Sequence, residues 1–333
     1  MDKIKDVLRP YYRWYKDRYD LLLNYFVDLK NFKKYAVLFE RKDLFQKETD
    51  LILNYHGLEK GMLHSEMKAR FAQNRVLVLH ELLKEEELNC NVKRSQIKVG
   101  YQLMCKYYEI HKEKNINIDD FFTEEQYQFY KKILGSNYNV DFEGVYSFNK
   151  SLFYNDVTKL DFSRFAYSRK SIRNYTGEKI SIDRIEKVIE LANTSPSVCN
   201  RQASNIYLVE DADKVNKLLQ LQGGFRGFDK DVKQLLVVTN DRKYYYTVGE
   251  RNQLYIDGGI YLMNLLYALH YYKIGNCPAN WGKCYGDENK AISLLKISKS
   301  EKIICLIVIG EAKESFRTTL SLRRPINENF KII

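Results

Sequence analysis

The apolar residues of this chain follow two different periods, and the change between them near residue 136 constrains the fold more than any single motif. Before that point the spacing is helical. Leu21, Leu22, Tyr25, Phe26 and Leu29 recur at helical intervals, as do Val76, Leu79, His80 and Leu83. Thr123, with Gln126 three residues on, makes a capping box for a helix through Leu134, and Gly135 is a natural terminator. Residues 136–161 mix Asn, Gly, Asp and Tyr with little periodicity and read as a connection. After it, Ile182, Ile185, Val188, Ile189 and Ala192 mark an amphipathic helix, followed by a polar loop over 194–204 and a short strand over 205–209. Two further runs, 234–239 and 303–309, are short, rich in Val and Ile, and bounded by polar residues, as buried strands are. The expected organisation is an all-helical amino-terminal domain, 1–150, and a mixed α+β domain, 160–333.

A chain of 333 residues, 45% hydrophobic and without a long polar tract, can bury a sizeable core and is not a disordered one. Its net charge of +11 comes from Lys and Arg scattered beside Glu and Asp, the pattern of solvated faces. A basic surface can also draw in nucleotides, phosphates or acidic lipid headgroups. Tyrosines beside lysines, as in Lys106-Tyr107-Tyr108, superficially suit single-stranded nucleic acid, but no nucleic-acid partner is expected. Residues 1–6 carry charges where a secretion signal needs an apolar run, so the expected location is cytoplasmic. The most apolar stretch, 254–274, contains Asp257, Asn264 and His270 and reads as a buried helix rather than a membrane span. Six cysteines form no CxxC pair, and Cys277 and Cys284 lack matching ligands; reduced thiols are expected, without a disulfide framework or zinc site.

Three segments of the second half carry candidate chemistry. Residues 168–173, Ser-Arg-Lys-Ser-Ile-Arg, place three cations and two hydroxyls before a helix, a set that can hold a phosphate and a polyhydroxyl chain. Residues 195–202, Ser-Pro-Ser-Val-Cys-Asn-Arg-Gln, form a polar loop between an apolar helix and a strand, where Asn and Gln can donate and accept toward a heterocycle. Residues 322–325, Leu-Arg-Arg-Pro, follow the final strand. Singly, these also read as a solvated basic turn, a plain helix-to-strand turn and an uninformative arginine pair.

In order, the three segments resemble the nitroreductase family, with its Arg-x-Ser-x-Arg opening, Pro-Ser-x-x-Asn-x-Gln loop and terminal Arg-Arg-Pro. The resemblance extends to the helix over 252–274, with Asp257-Gly258-Gly259, and to the Gly275-Asn276-Cys277-Pro278 that follows. It implies an antiparallel-rich sheet flanked by helices, FMN as cofactor, NAD(P)H as transient electron donor, and a homodimer with FMN at the subunit interface. Arg169, Lys170, Ser171 and Arg173 would contact the ribityl phosphate arm or the pyrimidine edge, and Arg323 or Arg324 the phosphate. Pro196, Ser197, Asn200 and Gln202 would line the isoalloxazine from the partner subunit. Gly275, Asn276, Cys277 and Asn280 would lie in a loop offering backbone N–H groups near the flavin, whose chemistry needs no catalytic side chain. The implied activity passes hydride or electrons to a small-molecule acceptor by a ping-pong cycle. The chain has no GxGxxG fingerprint, which suits a nicotinamide that visits rather than stays.

The sequence departs from the common pattern in having Ala203-Ser204 where many relatives have Pro-Trp, and Cys277-Pro278-Ala279-Asn280-Trp281 where nitro-reducing members have an acidic or glycine-rich loop. The acceptor is therefore open. Cys199 and Cys277 could approach a flavin as redox thiols or be small packing residues. In the helical half, His56-Gly57-Leu58-Glu59-Lys60-Gly61 resembles a segment of nitroreductase-like proteins found with bacterial surface-polysaccharide genes. His56, Glu59 and Lys60 would belong either to a substrate site or to a helix-ending ion pair with glycines shaping a turn. The alternative to an enzyme is a flavin-bound scaffold whose helices dock a partner in surface-polysaccharide assembly.

Overall fold

The computed structural model describes residues 2–36, 43–64 and 66–333, with side chains from residue 11 onward. The chain divides into two compact units, one of residues 1–146 with 319–333 and the other of residues 147–318. The division differs from the sequence-based one at the carboxyl terminus, which groups with the helices. Gln96 Nε2 donates to the Leu322 carbonyl at 3.2 Å, and Ser95 donates through N and Oγ to the Glu328 carboxylate at 2.7 and 3.0 Å.

The first unit is built on α1 (Asp2–Tyr35), α2 (Leu44–Met62), α3 (Gln73–Leu83), α4 (Glu86–Cys90), α5 (Ser95–Glu113) and α6 (Glu124–Leu134). The expected capping box is present: Thr123 accepts from the Gln126 N–H, and the Gln126 side chain accepts from the Thr123 N–H. Gly135 ends the helix at φ +51°, a conformation favouring glycine. Leu51 and Leu58 of α2, Val76, Leu79 and Leu83 of α3, and Tyr101 and Tyr107 of α5 meet in one core. Each fully buried leucine contributes about 1.5–3 kcal/mol. Two buried polar tips find partners across the core, the Tyr107 hydroxyl donating to the Phe71 carbonyl at 2.8 Å and His80 Nδ1 lying 2.5 Å from the Tyr130 hydroxyl. Helix α1 is different. Its apolar side chains from Tyr11 onward are exposed, although Leu22, Tyr25, Phe26 and Leu29 carry the same helical spacing as the core helices.

The second unit begins in β1 (Val145–Asn149), which pairs with β6 (Ser315–Thr319) in a two-stranded sheet. Short helices α7 (Lys150–Phe153) and α8 (Phe162–Ser168) lead to α9 (Ile182–Ala192). The main sheet has β2 (Ser204–Val209), β3 (Gln234–Asp241), β4 (Gly275–Asn280) and β5 (Glu301–Gly310), in the order β2-β3-β5-β4, all pairs antiparallel. Between the strands lie α10 (Ala212–Gln222), α11 (Gln253–Tyr271) and α12 (Tyr285–Leu295), and α13 (Ile326–Asn329) closes the chain in the first unit. The architecture is α+β. Leu236, Val238, Ile307 and Ile309 from the central strands pack with Ile185 and Val188 of α9 and with Leu265 and Leu269 of α11. Gly258 lets α11 approach the sheet, since a Cβ there would lie 2.7 Å from Ile304 Cγ1. Among the described residues no helix is long and apolar enough to cross a membrane.

Candidate functional site

Asp161 caps α8 by accepting from the Arg164 N–H at 2.9 Å, and the helix ends at Ser168, where the basic segment starts. The Ser168 hydroxyl donates to the Phe165 carbonyl at 2.8 Å and lies 2.7 Å from His270 Nε2. With its proton committed there, Ser168 can only accept from the imidazole, which assigns the proton to Nε2. Burial, with the nearby Arg169 charge, pushes the His270 pKa down to about 4, so the ring is neutral. Beyond Ser168 the chain runs extended along the outer edge of β4. The Ile172 N–H donates to the Asn276 carbonyl at 2.8 Å, and the Thr176 N–H to the Glu311 carbonyl at 2.9 Å. Tyr175, fully buried, locks the turn by donating to the Ile172 carbonyl at 2.6 Å.

Arg173 is the notable member of this segment. It is only 8% exposed, its guanidinium stands 6.0 Å over the Phe225 ring, and its Nε and Nη1 have no hydrogen-bond partner. Two buried acceptors, Asn174 Oδ1 and Asn276 Oδ1, are also unmet in the same stretch of structure. A buried cation with two idle donors is costly unless an anionic or acceptor-rich group completes it. Arg169, Lys170 and Ser171 are half-buried beside it in sequence.

The second cluster is the loop after α9. Ser195 Oγ donates to the Ala192 carbonyl at 2.6 Å, and the Val198 N–H points at both Asp257 carboxylate oxygens, at 3.3 and 3.4 Å. Cys199, Asn200 and Gln202 all have positive φ, 48°, 54° and 51°. For residues with a Cβ this stores strain, of order 1 kcal/mol or more each, and it persists only where surroundings fix the backbone. Here they do. The Gln202 N–H donates to Ser197 Oγ at 2.9 Å, while Arg201 grips Glu250 through two hydrogen bonds of 2.7 and 3.0 Å and donates to the Tyr244 carbonyl at 2.6 Å. Arg201 and the Tyr246 N–H hold the Glu250 carboxyl down at about 2. The loop thereby walls a concavity of about 210 Å³ lined by Ser195, Pro196, Ser197, Gln202, Asp257 and Tyr261.

The expected loop after the apolar helix needs correction. Residues 275–280 are not a loop but the edge strand β4, paired with β5 from Gly275↔Gly310 to Asn280↔Cys305. Gly275 is needed for that pairing, because a Cβ would come 2.8 Å from the Gly310 carbonyl oxygen. Pro278 shares the outward backbone direction of Asn276, so its missing N–H breaks no bond to β5. What β4 offers the site is therefore Asn276, whose carbonyl anchors the basic segment, while Cys277 is fully buried and Asn280 is exposed at the strand end. Cys199 is exposed.

Arg323 and Arg324 fall in the first unit. Arg323 donates to the Ser321 carbonyl at 2.6 Å, and Arg324 is held by Glu48 and Glu328. The pair His56 Nδ1–Glu59 Oε2, 2.8 Å, is also present, but inside α2 rather than at its end. Gly57 and Gly61 shape no turn; they clear space for Arg75 and Phe71, which a Cβ would meet at 2.2 and 2.0 Å.

The structure adds Asp257 and His270 to the site residues named from the sequence. Asp257, 3% exposed, also accepts from Gln253 Nε2 at 2.8 Å and the Tyr245 hydroxyl at 3.3 Å. The signal was available: both are ionisable groups in the most apolar helix of the chain.

Residues 166–225 match the family model described as the nitroreductase family. The chain is 27% identical over 155 residues to the FMN reductase (NAD(P)H) of Bacillus subtilis strain 168, a match covering 42% of this chain and 61% of that protein. It thus spans less than two thirds of the length of that curated relative. Among solved structures, an FMN-dependent nitroreductase from Clostridium difficile R20291 aligns with a TM-score of 0.39 at 20% identity, covering 44% of this chain and 84% of that one. B. megaterium NfrA2 aligns with a TM-score of 0.43 at 21% identity, covering 49% and 70%.

Proposed function

We propose that this chain, with its nitroreductase-family segment at residues 166–225, is an FMN-dependent oxidoreductase that draws electrons from NAD(P)H and passes them to a small-molecule acceptor. The observation that carries the reading is the buried Arg173 guanidinium with Nε and Nη1 unmet, on an Arg-x-Ser-x-Arg segment laid along the edge of β4. These residues fit FMN. Arg169, Lys170, Ser171 and Arg173 supply cations and a hydroxyl for a phosphate, a ribityl chain and an electron-rich ring edge. The name of the curated relative, an FMN reductase, supports the same cofactor.

FMN, held by Arg169, Lys170, Ser171 and Arg173, would supply the redox chemistry between the nicotinamide and a second substrate. The protein's part is to bind and orient. Arg173 would hold a fixed positive charge beside the bound group, and its burial would keep that charge effective. His270, neutral and hydrogen-bonded to Ser168, fixes the start of the basic segment without adding charge. The loop carrying Pro196, Ser197, Asn200 and Gln202 offers the wall against which a flat ring can rest. Arg324 has no cofactor role in this account, because two carboxylates already hold it.

A homodimer is part of the proposal. Ile256, Ile260 and Met263 form an exposed apolar stripe on α11, the helix that carries Asp257 and so positions the loop. Such a stripe on a sheet-packed helix suits a self-complementary interface. The test of activity is direct: under anaerobic conditions NADH or NADPH should bleach the flavin absorption of the purified chain, and air should restore it. A flavin that binds but cannot be bleached by either nucleotide would leave only the scaffold role.

A further inference from the structure

Helix α1 carries a feature that flavin chemistry does not use. Tyr11, Tyr15, Leu22, Tyr25, Leu29 and Phe32 are spaced by fours and threes along one face, with Arg18 the single interruption, and all six are more than half exposed. Among the described residues no other element packs extensively along the helix, and Gln46 Nε2 meets only its end, at the Tyr35 carbonyl, 3.0 Å away. Trp14, Tyr12, Tyr19, Leu21 and Phe26 flank the stripe and widen it to about half the circumference, broader than the narrow seam of a coiled coil. The opposite face is mostly polar, with Arg13, Lys16, Asp20, Asn24, Asn31 and Lys34 around a single Val27. Between residues 11 and 35 six Lys or Arg oppose three Asp, and Lys33 and Lys34 fall in the last turn.

We propose that α1 lies flat on an anionic lipid surface, its aromatic face entering the boundary between headgroups and acyl chains and its cations meeting lipid phosphates. Three observations select a bilayer over other covers. The exposed face is dominated by Tyr with one Trp, residues whose apolar body and polar tip suit that boundary. The charge balance of the helix is positive, complementary to acidic lipids. Arg18 sits in mid-stripe, its guanidinium 3.6 Å over the Trp14 ring. Pairing with a second copy would set Arg18 against Arg18, whether the helices ran parallel or antiparallel, because residue 18 is at the middle of Asp2–Tyr35. On a bilayer the same long side chain can reach out to the headgroups.

The experiment uses the full chain and vesicles of phosphatidylcholine alone or mixed with phosphatidylglycerol, read by co-sedimentation and tryptophan emission. The chain has two tryptophans, and Trp281 is buried and hydrogen-bonded to Glu288, so a blue shift reports on Trp14. Expected is co-sedimentation with the mixed vesicles and a blue shift that the Trp14→Phe variant loses. Replacing Lys30, Lys33 and Lys34 by Gln should weaken binding roughly tenfold or more, and added salt should do the same. Leu22→Ser with Leu29→Ser should abolish it, and these exposed positions leave the core intact. Binding to neither vesicle, or equally to pure phosphatidylcholine, overturns the proposal. So does a concentration-dependent oligomer without lipid that the two serine substitutions dissolve, which would assign the face to a second copy.

Discussion

Arg324 and Glu48, 276 residues apart in sequence, meet through two hydrogen bonds, Nη1–Oε1 at 3.2 Å and Nη2–Oε2 at 2.9 Å. Glu48 is 1% exposed and also binds Arg94 at 2.8 Å, while Arg324 takes a second carboxylate from Glu328 at 3.0 Å. Glu48 raises the pKa of Arg324 above its ordinary value. The carboxyl terminus is thus tied to the helical unit by ion pairs rather than left to reach for a ligand.

The Arg324→Ala change should therefore destabilise the helical unit and leave FMN in place. Breaking a buried ion pair typically costs about 3–5 kcal/mol, and the surviving Arg94 contact argues for the lower end. Urea unfolding followed by far-ultraviolet circular dichroism reads the loss. Flavin released at native conditions, with stability unchanged, would restore a phosphate role to this arginine.

Stability should fall on mild acidification. Burial holds His80 and His270 at about 4, below the ordinary 6.5, so between those values the unfolded chain binds more protons than the folded one. Their contribution is complete above about 6.5 and is lost as pH falls toward 4, on the order of 2–3 kcal/mol for each ring. Thermal melts at pH 7 and pH 5 check the sign, and His270→Gln should flatten part of the slope.

Asp257→Ala should loosen the loop over 196–202. The Val198 N–H and Tyr245 hydroxyl lose a buried acceptor, at a cost of about 1–3 kcal/mol, and the strained residues Cys199, Asn200 and Gln202 lose one of the anchors of their loop. Trypsin should then cut after Arg201 faster than in the parent protein, where Glu250 holds that side chain. Equal cutting rates would mean the loop is fixed by other contacts.

Ile260→Glu tests the α11 stripe. A charge placed in a self-complementary apolar face should raise the dimer dissociation constant at least about tenfold and lower FMN occupancy with it. Sedimentation velocity with an absorbance readout at flavin wavelengths measures both.

How much of this could be read from sequence depended on whether the determinant was local. The Thr123 cap, the strands rich in Val and Ile, and the helix containing Ile185 and Val188 announce themselves within a few residues, and the structure contains them. Strand β4 did not, because Gly275, Asn276 and Pro278 are turn-forming types, and only an edge position next to β5 makes them acceptable in a strand. The fate of Arg324 was hidden for a different reason: its partner Glu48 lies far away in sequence and nothing near residue 324 reports it. In α1 the periodicity was legible, but whether an apolar face is buried depends on what packs against it. Arg173 stood in a recognisable motif, yet that its guanidinium is buried with unmet donors is visible only in three dimensions.

If Arg173 completes an FMN site, titration of FMN into the chain stripped of flavin reads its part in binding. Saturable binding near one FMN per chain is expected in the parent protein, at least about tenfold weaker binding in Arg173→Ala, and parent-like binding in Arg324→Ala. Circular dichroism should show all three folded. A parent protein that binds no FMN, or an Arg173→Ala variant that binds it as tightly as the parent, would contradict the account.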